Sequence, residues 1–479
     1  MKQHPLKSVF ILAVTVLTLI CSFKYPGSVS IYILFSVVFN TLLLMGFRKN
    51  RIFFDTFIGI FLWLGFWAKF TARAILYNST FHDPVGYFNH SPQAYDKALF
   101  ISTVASLALI LASLAREYFF FKYNESPSEQ PSSHENNLHN NKSHFVFFLF
   151  LFFAISISTS NIILGIYQKG CPPKTILPFG LNGAYSWLLL FGLTSFAAVL
   201  LNKEIREKKL PYFMVILAFA ENFFSNVSML SRGMILNSSA LILGIYFTYL
   251  KMKFPLPLKF KFFIISSFVF LFACSVFTVN IIRIYRFNIG EDYRSIQQVV
   301  TTSQQQLTSV LFIDRWVGIE GLMAISSYPH QSFKLLKLAL AENFANTGTS
   351  FYDKEIAKQQ FSPKALITNH FITLPGVIGF LYYPGSFLFL IFGMIFIGLL
   401  GACFDFLVYY LGNQNLILSA LLAQVTAYRF AHFGYVPKQS YLLFGAILIN
   451  IFIIAIVNSP SLRRYCSKFF PEKPNKGLS

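Results

Sequence analysis

Long apolar runs separated by short polar connections dominate this chain of 479 residues. A helix needs about 20 mostly apolar residues to cross the hydrocarbon core of a bilayer, and about twelve runs qualify. They lie near 8–23, 28–46, 52–76, 97–120, 145–167, 184–201, 211–229, 234–250, 262–282, 386–411, 415–431 and 440–457. The pattern predicts an all-α polytopic integral membrane protein with about twelve transmembrane helices.

The longest polar interruption, residues 283–370, precedes the last three runs. Within it, residues 311–326 carry apolar side chains at helical spacing, and residues 332–344 (SFKLLKLALAENF) form a second amphipathic candidate. The following apolar stretch, 371–383, is too short to cross a membrane and contains Pro375, which breaks regular helix. We expect this stretch to re-enter the membrane or to lie in its interface.

Lysine and arginine set the expected orientation of the spans. They concentrate in the connections 48–51, 203–209 and 251–261 and in the tail after residue 462. The positive-inside rule assigns such basic connections to the cytoplasm. With twelve spans they all fall on one side, so both termini are expected in the cytoplasm and the long loop outside. The same rule accounts for most of the net charge of +20, and nucleic-acid binding is not expected.

These features divide the chain into four regions. Residues 1–282 form an N-terminal bundle of about nine spans, in which the Asn-, Ser- and Pro-rich segment 122–144 is predicted to be a disordered cytoplasmic linker. Residues 283–383 are the large outer loop with its re-entrant or interfacial end. Residues 384–460 hold the last three spans, and residues 461–479 are a basic cytoplasmic tail.

Arginines at the expected outer surface are candidate binding residues, because the positive-inside rule should deplete arginine on that side. The planar guanidinium group donates two parallel hydrogen bonds to phosphate and stays charged. Several arginines around one point could hold a diphosphate leaving group and stabilise the charge that it develops. Snorkelling or contact with lipid head groups is the alternative explanation. The residues concerned are Arg73, Arg232, Arg283, Arg286, Arg315 and Arg429.

His370 lies at the end of the long segment, where a histidine could act as general base on a sugar hydroxyl. Asp314 and Glu320 are an alternative acid/base pair, but their six-residue spacing puts them on different faces of one helix, and we expect Asp314 to pair with an arginine. The sequence contains no P-loop, no zinc signature and no C-x-x-C, so no metal or cofactor is expected.

Residues 369–385 (NHFITLPGVIGFLYYPG), followed by an apolar run that reaches residues 398–401 (GLLG), resemble the region after the large periplasmic loop of bacterial O-antigen and capsule repeat-unit polymerases. The related O-antigen ligases share this likeness. It covers about 30 residues as a motif and the whole chain as an architecture. The ligase motif usually carries an acid shortly after its histidine. This chain has Leu374-Pro375 there, which favours a polymerase.

The resemblance implies a membrane glycosyltransferase of the GT-C type in the bacterial inner membrane. Such an enzyme transfers a glycan from undecaprenyl diphosphate to another lipid-linked repeat unit without a metal, and works beside a flippase and a chain-length regulator. By this likeness the candidate catalytic residues are His370, Arg315 and Asp314. Those for the diphosphate or lipid carrier are Arg73, Arg232, Arg283, Arg286 and Arg429.

Three alternatives stay open, and for one of them, a membrane acyltransferase, the His and Asp signals are weak. A lipid-linked-oligosaccharide flippase or other transporter should show two comparable halves and charges at mid-membrane depth, and neither is clear in the sequence. A large outer loop is also not needed for transport. An O-antigen ligase shares the architecture and differs in the motif after its histidine.

Overall fold

The computed structural model is described over most of the apolar sequence. It covers residues 5–81, 83–119, 121–123, 140–208, 210–287, 313–342, 350–359, 373–434, 437 and 440–457, with the side chains of 5–7, 140–145, 208, 284–287, 441, 443 and 457 left aside. Within these ranges all regular structure is helical. The predicted linker core and the basic tail lie outside them.

The N-terminal region contains eleven α-helices in the described ranges, and two pairs of them are joined end to end. They are α1 (Pro5–Lys24), α2 (Val29–Met45), α3 (Phe53–Leu62), α4 (Lys69–Leu76), α5 (Pro92–Phe119), α6 (Asn140–Leu164), α7 (Leu181–Trp187), α8 (Leu193–Lys208), α9 (Tyr212–Ser228), α10 (Met234–Lys251) and α11 (Leu258–Phe287). Two π-helical turns, Trp63–Ala68 and Leu188–Gly192, join α3 to α4 and α7 to α8.

The C-terminal region adds six α-helices in the described ranges. They are α12 (Ile319–Ser326), α13 (Phe333–Ala341), α14 (Gly376–Leu381), α15 (Phe387–Leu411), α16 (Leu416–Ala431) and α17 (Ser440–Val457). Across the described chain, seven helical segments are long and apolar enough to cross a membrane, and four shorter apolar helices accompany them. The prediction of an all-α multi-pass membrane protein is confirmed. Each of the twelve predicted runs coincides with a helix, and the number of helices that cross stays a prediction.

Helix α16 lies at the centre of the bundle. It packs against α3, α8, α10 and α15, and almost all of its residues are buried. The side chain of Asn415 caps its first turn by accepting hydrogen bonds from the backbone N–H groups of Ile417 and Leu418. Gly244 lets α10 approach closely, since a Cβ there would lie 2.5 Å from the Cα of Ile417. The end of α16, with Arg429, is therefore held in a fixed position.

Connections between helices meet at two opposite ends of the bundle. At one end, a guanidinium nitrogen of Arg48 lies 3.0 Å from the carbonyl oxygen of Ser113, in the last part of α5. At the other end, the backbone N–H of Lys169 donates to the carbonyl oxygen of Met229 over 2.9 Å. The basic connection 48–51 lies at the first end, where the guanidinium carbon of Arg51 is 3.7 Å from the centroid of the Phe247 ring in the last part of α10. The alternation of the remaining spans stays a prediction.

The described part of residues 283–383, called the outer segment below after its predicted location, departs from its predicted secondary structure. Of the helix expected over residues 311–326, the structure describes 313–326: residues 313–314 are π-helical, 315–318 form a turn and bends, and α12 begins at Ile319. Two interactions replace the helix there: Lys69 donates to the carbonyl oxygens of Asp314 (3.2 Å) and Trp316 (3.0 Å), and the backbone at Gly318 packs against α3–α4. Asp314 and Glu320 therefore do not share a helix.

Of the other two predictions for this segment, the second amphipathic helix is confirmed. Helix α13 occupies the second amphipathic candidate, and the Ser332 hydroxyl caps it by accepting from the backbone N–H of Leu335 over 3.2 Å. The short apolar stretch holds the six-residue helix α14, and its N-cap is Pro375. Whether this stretch enters the membrane stays a prediction.

Candidate functional site

Five basic side chains come together at the end of the bundle that carries the outer segment. We call them the cationic cluster: Lys169, Arg232, Arg283, Arg315 and Arg429. Each comes from a different part of the chain, namely the connection after α6, the α9–α10 turn, the end of α11, the outer segment and the last turn of α16. All five are partly buried. Residues far apart in the sequence therefore build one positively charged site.

Backbone carbonyl groups hold part of the cluster in place. Arg315 Nη1 donates to the carbonyl oxygen of Arg232 over 2.5 Å, which ties the outer segment to the α9–α10 turn. Arg283 Nη2 donates to the carbonyl oxygen of Lys169 over 3.2 Å, which ties the end of α11 to the connection after α6. These contacts orient two guanidinium groups and leave their positive charges in the site.

In the part of the chain that the structure describes, the other charges near Lys169 and Arg232 are those of cluster arginines. Among the described residues, no aspartate or glutamate forms an ion pair with Lys169, Arg232, Arg315 or Arg429. Like charges brought together in a partly buried site repel one another. A bound anion would relieve that repulsion, so this arrangement favours an anionic ligand.

Burial and the neighbouring positive charges lower the pKa values of two members of the cluster. Burial, followed by the charges of Arg429 and Arg315, lowers the pKa of Lys169 to about 7. Burial, followed by the charges of Arg283 and Arg315, lowers the pKa of Arg232 to about 10. Arg232 therefore stays charged at neutral pH, while Lys169 is close to its titration point.

A small cavity of about 40 Å³ lies directly beside the cluster. Its polar lining comprises Lys169 and Arg429 together with the side chains of Asn226, Asn237, Gln424 and Tyr428 and the backbone of Gly233. Gly233 is the N-cap of the 18-residue helix α10, so the positive end of that helix also faces the cavity. The Gln424 Oε1 atom is buried without a hydrogen-bond partner among the described residues. Cations, amides and a helix N-terminus are groups that bind phosphate oxygens.

A break in helical regularity shapes the same cavity. The π-helical turn Leu188–Gly192 interrupts the α7–α8 helix and supplies Leu190 and Phe191 to the lining. The carbonyl oxygen of Leu190 accepts a hydrogen bond from Asn237 Nδ2 over 2.9 Å, which orients that amide. π-Helical turns are frequent at functional sites because they redirect side chains.

Two buried ion pairs stand beside the cluster and fasten the outer segment to α4. Arg73 pairs with Asp314, with Nε 3.0 Å from Oδ1. Lys69 pairs with Glu320 at the start of α12. The expectation that Asp314 pairs with an arginine is confirmed. Since both cations are neutralised within the chain, they position Arg315 next to them and add no net charge to the site.

A histidine lies near the cationic cluster. His432 is the C-cap of α16, and its Nδ1 lies 3.1 Å from the carbonyl oxygen of Tyr428. The imidazole stacks on the Tyr428 ring at a centroid distance of 3.9 Å. Burial, reinforced by the charges of Arg315 and the other nearby cations, lowers the pKa of His432 to about 3. Its ring is therefore neutral over the physiological range.

The predicted site residues fall into three groups. Arg232, Arg283, Arg315 and Arg429 lie together in the cationic cluster. Arg73 and Asp314 pair with each other beside it. Arg286 lies in α11 with its side chain outside the described residues, and His370 lies outside them altogether. The assignment of His370 as the base therefore stays a prediction.

Lys169 was not predicted from the sequence to belong to the site. It follows α6 in a short connection with a single further lysine, Lys174, and neither residue stands out by spacing. The one available signal was its place on the side that the positive-inside rule should deplete of basic residues. That argument selected arginines and applies equally to this lysine.

Comparison with known proteins does not identify a family for this chain. No protein-family model, no curated protein and no solved structure matches this chain. Among the described residues, no group of three or more His, Cys, Asp or Glu side chains could hold a metal ion. The chemistry of the site therefore has to be inferred from the cationic cluster, the cavity and the neutral histidine.

Proposed function

We propose that this protein polymerises oligosaccharide repeat units carried on undecaprenyl diphosphate, at the outer face of the bacterial inner membrane. The observation that carries the proposal is the cationic cluster, whose five members converge on one end of a helical membrane protein. A diphosphate that is anchored by a lipid in the bilayer would reach this end laterally. The positive charge of the cluster favours such a ligand, and guanidinium groups can donate paired hydrogen bonds to phosphate.

In the reaction, the hydroxyl at the non-reducing end of one lipid-linked unit attacks the anomeric carbon of another. The bond from that carbon to the diphosphate breaks, and the leaving group gains one negative charge. Arg315, Arg429 and Lys169 would stabilise that charge from fixed positions, which is the electrostatic contribution expected of a glycosyltransferase without a bound metal. The outer segment, fastened by its ion pairs, would cover the donor.

The proposal extends to topology and partners. With twelve crossing helices, the cluster faces the periplasm and both termini face the cytoplasm. A flippase would supply the repeat units to that face, and a chain-length regulator would act at the same membrane. Neither nucleic acid nor a soluble sugar nucleotide has a part in this reaction.

Deletion of the gene in its native host tests the proposal. Loss of a polymerase leaves glycans of a single repeat unit, whereas loss of a ligase leaves long chains that stay on the lipid carrier. Loss of a flippase leaves single units facing the cytoplasm. We expect single units at the periplasmic face, restored to long chains by the wild-type gene, and glycans of normal length in the deletion strain would contradict the proposal.

A further inference from the structure

The hydrogen-bond geometry of His432 fixes which ring nitrogen can accept a proton. Its Nδ1 faces the carbonyl oxygen of Tyr428, and a carbonyl oxygen only accepts. Nδ1 therefore carries the hydrogen, and Nε2 presents a lone pair. Stacking on Tyr428, with the edge contact to Phe61 at a centroid distance of 6.4 Å, keeps the ring in this orientation.

The Nε2 atom is buried and has no hydrogen-bond partner among the described residues. Among the described residues, the charged groups that act on the ring are cations: Arg315 from the outer segment, Arg429 from α16 and Lys169 from the connection after α6. An oxyanion bound to these cations cannot satisfy Nε2, because both atoms are acceptors. A hydroxyl group can, since it donates to Nε2 while its oxygen stays beside the anion.

The geometry points to His432 as the residue that accepts the proton of the attacking sugar hydroxyl; this inference rests on the proposed function. The hydroxyl oxygen forms a bond to the anomeric carbon of the donor. The bond from that carbon to the diphosphate oxygen breaks, and the electron pair stays on the leaving group. The proton passes to Nε2, so a neutral imidazole and a diphosphate dianion become an imidazolium and a diphosphate trianion.

The neighbouring cations make this transfer depend on the leaving group. In the absence of an anion they repel an imidazolium, and the ring stays in its neutral, proton-accepting form. A bound diphosphate offsets that repulsion, and the charge that it gains on departure offsets it further. The proton affinity of His432 therefore rises in step with bond breaking, when the hydroxyl proton has to be taken up.

The test uses full-length protein in lipid nanodiscs with undecaprenyl-diphosphate-linked repeat units, at pH 7.5. We expect His432→Ala to lower kcat for elongation by about 100- to 10,000-fold, with the donor KM within about threefold of wild type. Added imidazole should restore the His432→Ala rate at least about tenfold in a saturable manner, because it can fill the space that the side chain leaves. In His432→Gln the glutamine side chain fills that space, so added imidazole should not raise the elongation rate of this variant.

Two further variants make the outcome decisive. His330→Ala, at an exposed histidine between α12 and α13, should elongate at the wild-type rate. A His432→Ala rate within about threefold of wild type, or a loss that imidazole does not recover, would overturn the inference. Recovery by imidazole of His370→Ala in place of His432→Ala would also overturn it. Failure of the wild type to elongate would instead reject the proposed function, and this inference with it.

Discussion

At the scale of single side chains, the members of the cationic cluster differ in how far the protein itself orients them. Arg315 donates to the carbonyl oxygen of Arg232, and the cation–π distance from its guanidinium carbon to the Trp316 ring is 6.0 Å. Arg429 and Lys169 line the cavity, and no hydrogen bond from either side chain occurs within the described residues. Arg315 therefore anchors the outer segment, and the other two are free to meet a ligand.

Substitution of a cluster arginine should reduce turnover without affecting insertion. We expect Arg315→Gln and Arg429→Gln each to lower elongation about 100-fold, the usual effect of removing one donor to a developing oxyanion. Glycan chain length on gels gives the readout, and protein in the membrane fraction gives the control for insertion. Lys203→Gln, at an exposed lysine of the opposite end, is the matched variant and should behave as wild type. Normal chains in both arginine variants would refute the role of the cluster.

Lys169 makes anion binding dependent on pH. Its lowered pKa of about 7 means that the unliganded site loses one positive charge as the pH rises through 7. An anion favours the protonated form, so affinity for a dialkyl diphosphate should fall by up to about tenfold per pH unit above 7. Lys169→Arg should remove this slope, because arginine stays charged. Calorimetric titrations at pH 6 and 8 measure this change in affinity. If the pH dependence persists in Lys169→Arg, a group other than Lys169 causes it.

At the scale of elements, a close backbone contact positions the outer segment. A Cβ on Gly318 would lie 2.3 Å from the carbonyl oxygen of Gly65, in the π-helical turn between α3 and α4. No side chain fits there without movement. Hydrophobic periodicity predicted a helix through this region because it reports apolar faces and carries no information about a tertiary contact between two glycines.

Gly318→Ala should therefore displace the segment that carries Arg315. We expect a loss of about 1–3 kcal/mol of stability from overpacking and a larger relative loss of elongation, since Arg315 moves with the backbone. Thermal unfolding in detergent and the elongation rate are measured on the same preparation. Gly183→Ala is the matched control, because no atom lies within 4 Å of a Cβ built there. Equal behaviour of the two variants would contradict the contact.

The effects on stability of substituting Lys69 and Glu320, which form a buried ion pair, should not be additive. Lys69→Met leaves a buried carboxylate without its partner and should destabilise the protein by about 3–5 kcal/mol. Lys69→Met combined with Glu320→Met replaces both charges by apolar groups and should recover most of that loss. Unfolding midpoints of the single and double variants check this. Additive losses in the double variant would show that the two residues do not stabilise one another.

At the scale of the whole molecule, the sequence predicted more of the fold than of the site. All twelve apolar runs became helices, since run length and flanking charge decide helix position in a membrane protein. The site was recovered in part. Arg232 and Arg429 stood out by their position at span ends, whereas the burial of Lys169 and the fixed ring of His432 depend on tertiary packing that no local pattern encodes.

Labelling with a membrane-impermeant thiol reagent tests the arrangement of the spans. In a variant without the native cysteines, Lys174→Cys and His330→Cys should react in intact spheroplasts. Lys203→Cys and Lys253→Cys should react only after the membrane is opened. This pattern follows from twelve crossings with basic connections inside. Labelling of Lys203→Cys in intact spheroplasts would indicate the opposite orientation. The cationic cluster would then not lie at the periplasmic face.

The most direct test of the central claim is incubation of purified protein with undecaprenyl-diphosphate-linked repeat units in nanodiscs. We predict a ladder of products that differ by one repeat unit, with release of one undecaprenyl diphosphate for each bond formed. The ladder should persist when a chelator is added and should disappear with Arg315→Gln. Repeat units that stay single in the presence of well-folded wild-type protein would contradict the account.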